Sequence, residues 1–185
     1  MIETIILLLV IIGIGGALAA IYNSLIKLRN LTNGGWAQID VQLQRRNDLI
    51  PNLVNTVKGY AAHEKTTFEE VTRARNMSAS ASTVGEAAES SNMLTQALGK
   101  LFAVAEAYPD LKASNNFLQL QEELATTENK IAFARQYYNN NVRTLNTKIE
   151  VFPSNLIANM FKFEQKEYFE VENADVKKTP NVDFS

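Results

Sequence analysis

The feature that most constrains this chain is its first stretch. Ile5 to Ile12 reads Ile-Ile-Leu-Leu-Leu-Val-Ile-Ile, and Gly13 to Ile21 continues Gly-Ile-Gly-Gly-Ala-Leu-Ala-Ala-Ile with no charge. Roughly 20 apolar residues at 1.5 Å each span the ~30 Å hydrocarbon core of a bilayer. The run is apolar on every face, so as a helix it belongs in lipid or in the heart of a large protein. Nothing later in the chain is hydrophobic enough to build such a heart. A single transmembrane helix over 1–22 is therefore expected. A cleaved signal peptide is the rival reading, since Ala17-Leu18-Ala19 has the small-x-small form of a cleavage site. It would want a basic leader, and the leader here carries Glu3 with no Lys or Arg. Lys27, Arg29, Arg45 and Arg46 follow the span, so charge bias puts the C-terminal body in the cytoplasm, attached by one pass. Translocation of the body to the other side stays open, because long domains cross regardless of charge.

The remainder, roughly 160 residues, fits one domain with one core. There are 8 Gly and 4 Pro, and punctuation that sparse favours long helices. Leu25, Leu28, Thr32, Trp36, Ile39 and Leu43 recur at three- and four-residue steps, as one face of a helix does. Gly34-Gly35 interrupts that pattern and marks a kink, a close approach by another helix, or a tolerated weak spot. Asn47 and Asp48 suit an N-cap and Pro51 the first turn of a new helix, so a turn is expected there. Ile50, Val54, Val57, Ala61, Phe68 and Val71 carry the stripe onward to about Met77. Ser78 to Gly85 reads as a loop. Leu94, Ala97, Leu98, Leu101, Phe102, Ala105 and Tyr108 mark a third helix.

The fourth and longest helix is expected from about Asp110 to Val151. Phe117, Leu120, Leu124, Ile131, Ala134, Tyr138, Val142, Leu145 and Ile149 keep a coiled-coil-like alternation over about four heptads. The expected fold is all-α: an anchor over 1–22, an antiparallel four-helix bundle over 23–151, a short apolar helix over 152–164, and an extended tail over 165–185. Up-down-up-down topology returns the fourth helix to the bilayer. Leu156, Ile157, Met160, Phe161 and Phe163 then either lie in the lipid interface, with Lys162 snorkelling, or close the bottom of the bundle core.

The residues for chemistry are few. Cysteine is absent and His63 is the sole histidine, which removes disulfides, thiolate metal sites and His/Cys zinc sites. A carboxylate-bridged di-metal bundle needs Glu-x-x-His on two helices, and Tyr60 stands three residues before His63. No Gly-x-Ser-x-Gly, Gly-x-x-x-x-Gly-Lys-Ser/Thr or Gly-x-Gly-x-x-Gly occurs. The expectation is no catalytic residue, no cofactor and no metal. A formal charge of −2 argues against nucleic acid as a partner. The chain does offer helix-association material: Gly13 with Ala17, and Gly16 with Ala20, are small residues four apart in the span. A homo-oligomer is expected from them.

Several stretches together carry a family likeness. They are Tyr22 to Asn30, Trp36 to Val54, Val57 to Ala61 with His63-Glu64, Val71 to Arg75, Glu128 to Ala132, Phe152 to Ala158 and Pro180 to Phe184. They resemble the LemA family of bacterial membrane proteins. The resemblance implies a membrane anchor and a bundle of long helices, with no established enzymatic activity. It also implies association with other envelope proteins, membrane zinc proteases among them. The matched residues Asp40, Arg45, Arg46, Asp48 and Asn52 are expected at the turn between helices one and two. There they form either a polar structural corner or a partner-docking site. The functional expectation is a non-enzymatic scaffold or adaptor of the cell envelope. The alternative is a membrane-anchored sensor that binds a ligand or peptide in its bundle.

Overall fold

The computed structural model describes residues 1–170, and those residues are all-helical, with no strand among them. Six helices follow in order: α1 (Ile2–Lys58), α2 (Lys65–Ser80), α3 (Val84–Glu106), α4 (Pro109–Lys112), α5 (Asn115–Glu150) and α6 (Ser154–Met160). They form two compact units. One joins Met1–Gln42 with Asn129–Tyr168, and the other is built on Leu43–Glu128.

α1 corrects the expected turn. It runs unbroken through Gly34-Gly35 and through Pro51, and ends at Lys58. A proline inside a helix lacks the N–H that would bond the carbonyl four residues back, here that of Asn47. Arg75 of α2 supplies the replacement: its Nε donates to the Asn47 carbonyl at 3.2 Å. With that carbonyl satisfied the helix passes the proline. The chain turns later, over 59–64, where Gly59 follows Lys58 and Ala61 N–H still bonds the Val57 carbonyl at 2.9 Å. Asp40, Arg45, Arg46, Asp48 and Asn52 therefore lie along the interior of α1 and form no corner.

In the unit built on Leu43–Glu128, segments of four helices share one core. Ile50, Leu53, Val54 and Val57 come from α1, and Phe68 and Val71 from α2. α3 adds Leu94, Leu98 and Leu101, and α5 adds Phe117 and Leu124. Apart from Leu53, which the expected stripe passes over, these are the positions the apolar stripes select. The connection before α3 is shorter than the expected loop, because α2 extends to Ser80 and α3 begins at Val84. A capping box starts α3. The Thr83 hydroxyl accepts from Glu86 N–H at 3.2 Å, and the Glu86 carboxylate accepts from Thr83 N–H at 3.2 Å and from Ser82 N–H at 2.8 Å. The long fourth helix also starts later than expected. Pro109–Lys112 makes its own turn, which buries Leu111, and α5 begins at Asn115.

In the other unit, α1 pairs with the second half of α5. Leu25 packs with Leu145 and Ile149, joined by Ile157 and Ala158 of α6. Further along, Trp36 and Tyr138 bring their rings to 5.9 Å. At Gly35 the helices approach closely: a Cβ there would stand 3.2 Å from Tyr138 Cα and 3.3 Å from the Tyr137 ring. Gly34 has nothing within 4 Å of such a Cβ. Of the readings open for this glycine pair, Gly35 answers to close approach, and neither residue breaks the helix.

After α6 the chain lies along α5 without regular structure. Asn146 grips it as a backbone would, donating from Nδ2 to the Lys166 carbonyl and accepting Lys166 N–H through Oδ1, both at 2.9 Å. The Tyr138 hydroxyl donates to the Glu167 carbonyl at 2.8 Å. The tail expected over 165–185 is thus docked as far as it is described, and its remainder lies outside the described residues. Residues 2–20 at the other end of the chain have every side chain exposed.

Candidate functional site

The polar centre of the Leu43–Glu128 unit is Arg46. Its neighbour Arg45 faces solvent, while Arg46 is only 1% exposed. One turn of α1 later, Ile50 enters the core, so Arg46 stands on the buried face by register alone. Its Nη1 donates to both Glu128 carboxylate oxygens at 3.0 Å, and its Nη2 donates to Ser91 Oγ at 2.9 Å. Thr95 Oγ1 lies 3.4 Å from Nη1 and 3.1 Å from Glu128 Oε1. Ser91 and Thr95 are one turn apart on α3, so α1, α3 and α5 are tied through one guanidinium. Among the described residues Nε has no hydrogen-bond acceptor. Burial pushes the guanidinium below its ordinary pKa, and the Glu128 carboxylate opposes the shift by charge and hydrogen bond. The result is a fixed cation whose counter-ion is half in solvent, Glu128 being 40% exposed.

Arg46 and Glu128 also edge a cavity of about 320 Å³ between α3 and α5, whose walls include Leu98, Phe102 and Leu124. The rest of its lining is Gly99 and Ala125 with the polar Thr95 and Gln121, so apolar walls meet a few polar groups and one ion pair. Among the described residues no three His, Cys, Asp or Glu side chains stand together as a metal-binding group.

The structure sorts the expected residues. Of the five polar residues expected at a corner, only Arg46 is buried; Asp40, Arg45, Asp48 and Asn52 are exposed along α1. Sequence reasoning missed the partners of Arg46, and it missed Arg75. Glu128 and Arg75 both fall inside stretches that carry the family likeness, which was the available signal. Ser91 and Thr95, small polar residues one turn apart on an alanine-rich helix, offered a fainter one. Ile157 cannot face lipid, because at 4% exposure it belongs to the core with Leu25 and Ile149. Phe163 is half-buried against the same cluster. Leu156, Met160 and Phe161 are exposed. Gly13, Gly16, Ala17 and Ala20 are exposed on the apolar part of α1, and a Cβ at either glycine would meet nothing within 4 Å.

Comparison with known proteins decides the family. The LemA family profile matches residues 35–184. The chain belongs to the LemA family. That span takes in Arg46, Arg75, Ser91, Thr95 and Glu128 and leaves out the whole of the apolar N-terminal stretch. Magnetosome protein MamQ 2 of Paramagnetospirillum magneticum is 26% identical over 80% of this chain and 64% of its own length. Magnetosome protein MamQ of Magnetospirillum gryphiswaldense is 24% identical over the same shares. Protein LemA of Metamycoplasma hominis is 26% identical over 83% of this chain and 72% of its own length. The chain thus spans 64%, less than two-thirds, of the magnetosome relatives' length.

Proposed function

We propose that this LemA-family chain is a non-enzymatic, single-pass membrane scaffold of the bacterial cell envelope, acting through self-association and protein partners. The observation that carries this reading is the continuity of α1. Residues 5–20 are apolar and exposed, and the same helix then supplies core residues to both units. An anchor joined to its body without a hinge transmits position, which is what a scaffold requires. In this reading the Leu43–Glu128 unit is a four-helix bundle, and the exposed small residues Gly13, Gly16, Ala17 and Ala20 let copies pack closely in lipid. Asp40, Arg45, Asp48 and Asn52, exposed on one stretch of α1, serve to dock other envelope proteins, with a membrane zinc protease as one class. The charge bias of Lys27, Arg29 and Arg45 supports a cytoplasmic body in this reading.

Single-cysteine variants test this cleanly, because the chain has no native cysteine. The full chain is expected to float with liposomes and to resist alkaline extraction, and Leu8→Arg with Ile11→Arg is expected to release it. Gly13→Cys is expected to crosslink between copies in membranes, and Gly16→Ile to weaken that crosslink. A wild-type chain that stays in the aqueous phase refutes the anchor, and a Gly13→Cys chain that stays monomeric refutes self-association in the span.

The cavity edged by Arg46 and Glu128 favours a second reading, a membrane-anchored sensor for an apolar ligand or peptide. A Leu98→Trp variant that fills the cavity and leaves helix content unchanged would separate the two. Partner binding should persist for a scaffold and respond to the plug for a sensor.

A further inference from the structure

The short helix α6 presents two faces. Ser154, Ile157 and Ala158 are buried on one of them. Leu156 and Met160, four residues apart, stand on the other, 58% and 71% exposed, with Phe161 exposed beside them and Phe152 exposed in the turn before the helix. Such a stripe of large apolar side chains calls for a cover.

Its location says what the cover is. The Tyr22 ring lies 4.6 Å from that of Phe161 and 6.1 Å from that of Phe163. Ile21 and Tyr22 are the first side chains of α1 that protein covers, immediately after the exposed run that ends at Ala20. α6 is therefore packed against α1 at the level where the exposed apolar run of α1 ends. Cations gather at the same level. Lys27 is exposed one turn beyond Tyr22, and the Arg29 guanidinium lies 5.4 Å over the Phe163 ring.

Lys162 adds an independent sign. It follows α6 in the left-handed region, with φ 53°, where glycine is the residue of least strain. Its N–H bonds the Asn159 carbonyl at 3.2 Å, and Phe163 N–H bonds the Ala158 carbonyl at 2.9 Å, which is the Schellman pair of a helix C-terminus. Glycine would make both bonds with less strain. The lysine holds the position with its side chain exposed, so the ammonium has a use that the backbone does not explain.

We infer that α6 is a second membrane contact, in which Phe152, Leu156, Met160 and Phe161 enter the acyl–headgroup boundary while Lys162 pairs with anionic lipid headgroups. The contact rests on the anchoring of α1 proposed above. It fixes the rotation and tilt of the anchor, because a helix held at one point in lipid turns freely and one held at two does not. Apolar side chains below a basic edge are the pattern by which interfacial helices bind acidic bilayers.

The test uses the full chain in liposomes of phosphatidylcholine, with and without 30% phosphatidylglycerol, and a nitroxide at one introduced cysteine. Leu9→Cys reports the span, Leu156→Cys and Met160→Cys report α6, and Val41→Cys reports an exposed apolar position of α1 more than two turns past Arg29. Labels at 156 and 160 are expected to be accessible to oxygen and shielded from a water-soluble nickel chelate, at shallower depth than the label at 9. The label at 41 is expected to be open to the chelate. Adding phosphatidylglycerol should deepen the label at 160, and Lys162→Gly, which suits the backbone, should abolish that deepening. If 156 and 160 behave like 41 while 9 is in lipid, the inference falls and the anchor stands. If 9 is open to the chelate, both fall. Labels shielded from both reagents would mean a protein cover, a second copy included, and would also overturn the inference.

Discussion

The passage of α1 through Pro51 gives a prediction that can be worked from two residues. In the folded chain the Asn47 carbonyl lacks its ordinary helical donor, and Arg75 Nε takes that place at 3.2 Å. Asn47 is buried, so Arg75→Ala leaves this carbonyl unpaired away from water. Leaving a buried acceptor unmade costs about 1–3 kcal/mol. Arg75 is only partly buried, which favours the lower half of that range. In a Pro51→Ala background residue 51 regains an N–H, the helical bond to Asn47 can form, and Arg75 becomes redundant at that atom. The two substitutions should therefore be coupled by about 1 kcal/mol, within the span seen for residues that share a partner. Hydrogen exchange on the peptide covering 43–58 reads the local opening directly. Arg75→Ala alone is expected to speed exchange there by about tenfold, the equivalent of about 1.4 kcal/mol. With Pro51→Ala already present, the same change should speed it by about twofold at most. Equal effects in the two backgrounds would refute the argument that Arg75 substitutes for the missing proline N–H.

Three further outcomes follow from the geometry. Glu128→Ala strands the Arg46 guanidinium; because the carboxylate is 40% exposed, the loss should be about 1–2 kcal/mol rather than the 3–5 of a fully buried pair. Replacing both partners, Arg46→Met with Glu128→Leu, should recover most of it in thermal unfolding, and failure to recover would mean that the pair does more than satisfy itself. In the paired glycines, Gly34→Ala should stabilise by up to about 1 kcal/mol through helix propensity. Gly35→Leu should destabilise by about 1–3 kcal/mol through its clash with Tyr138 and Tyr137, and equal effects at the two positions would refute the close approach. The Glu86 carboxyl is held below its ordinary value of 4.5, first by Ser82 N–H, then by the Ser82 hydroxyl and Thr83 N–H. A depressed carboxyl contributes stability above its unfolded value and loses it as pH falls through the folded one. Unfolding followed from pH 6 to pH 3 should thus show a loss beginning below about 4.5 that Glu86→Gln flattens.

Much of this protein was legible without coordinates because helices announce themselves by period. The stripes Leu25–Leu43, Ile50–Val71, Leu94–Ala105 and Phe117–Ile149 named the buried faces, and the apolar run of Ile5–Ile21 named the segment left bare. Composition and spacing carry that information because burial of one face repeats every turn. What they did not carry was any event decided by a distant residue. Pro51 reads as a helix start until Arg75, far along the chain, is seen to satisfy the carbonyl it abandons. Register puts Arg46 on the buried face of α1 and Arg45 outside, and only the positions of Ser91, Thr95 and Glu128 supply the partners that satisfy the buried guanidinium. Ile157 and Leu156 are equally apolar, and only the packing of α6 on Leu25 turns the first inward and leaves the second outside. The sequence by itself determined which faces are oily. Tertiary structure alone decided where a rod stops and which polar group is spared, because both depend on hydrogen-bond partners that chain order does not bring together.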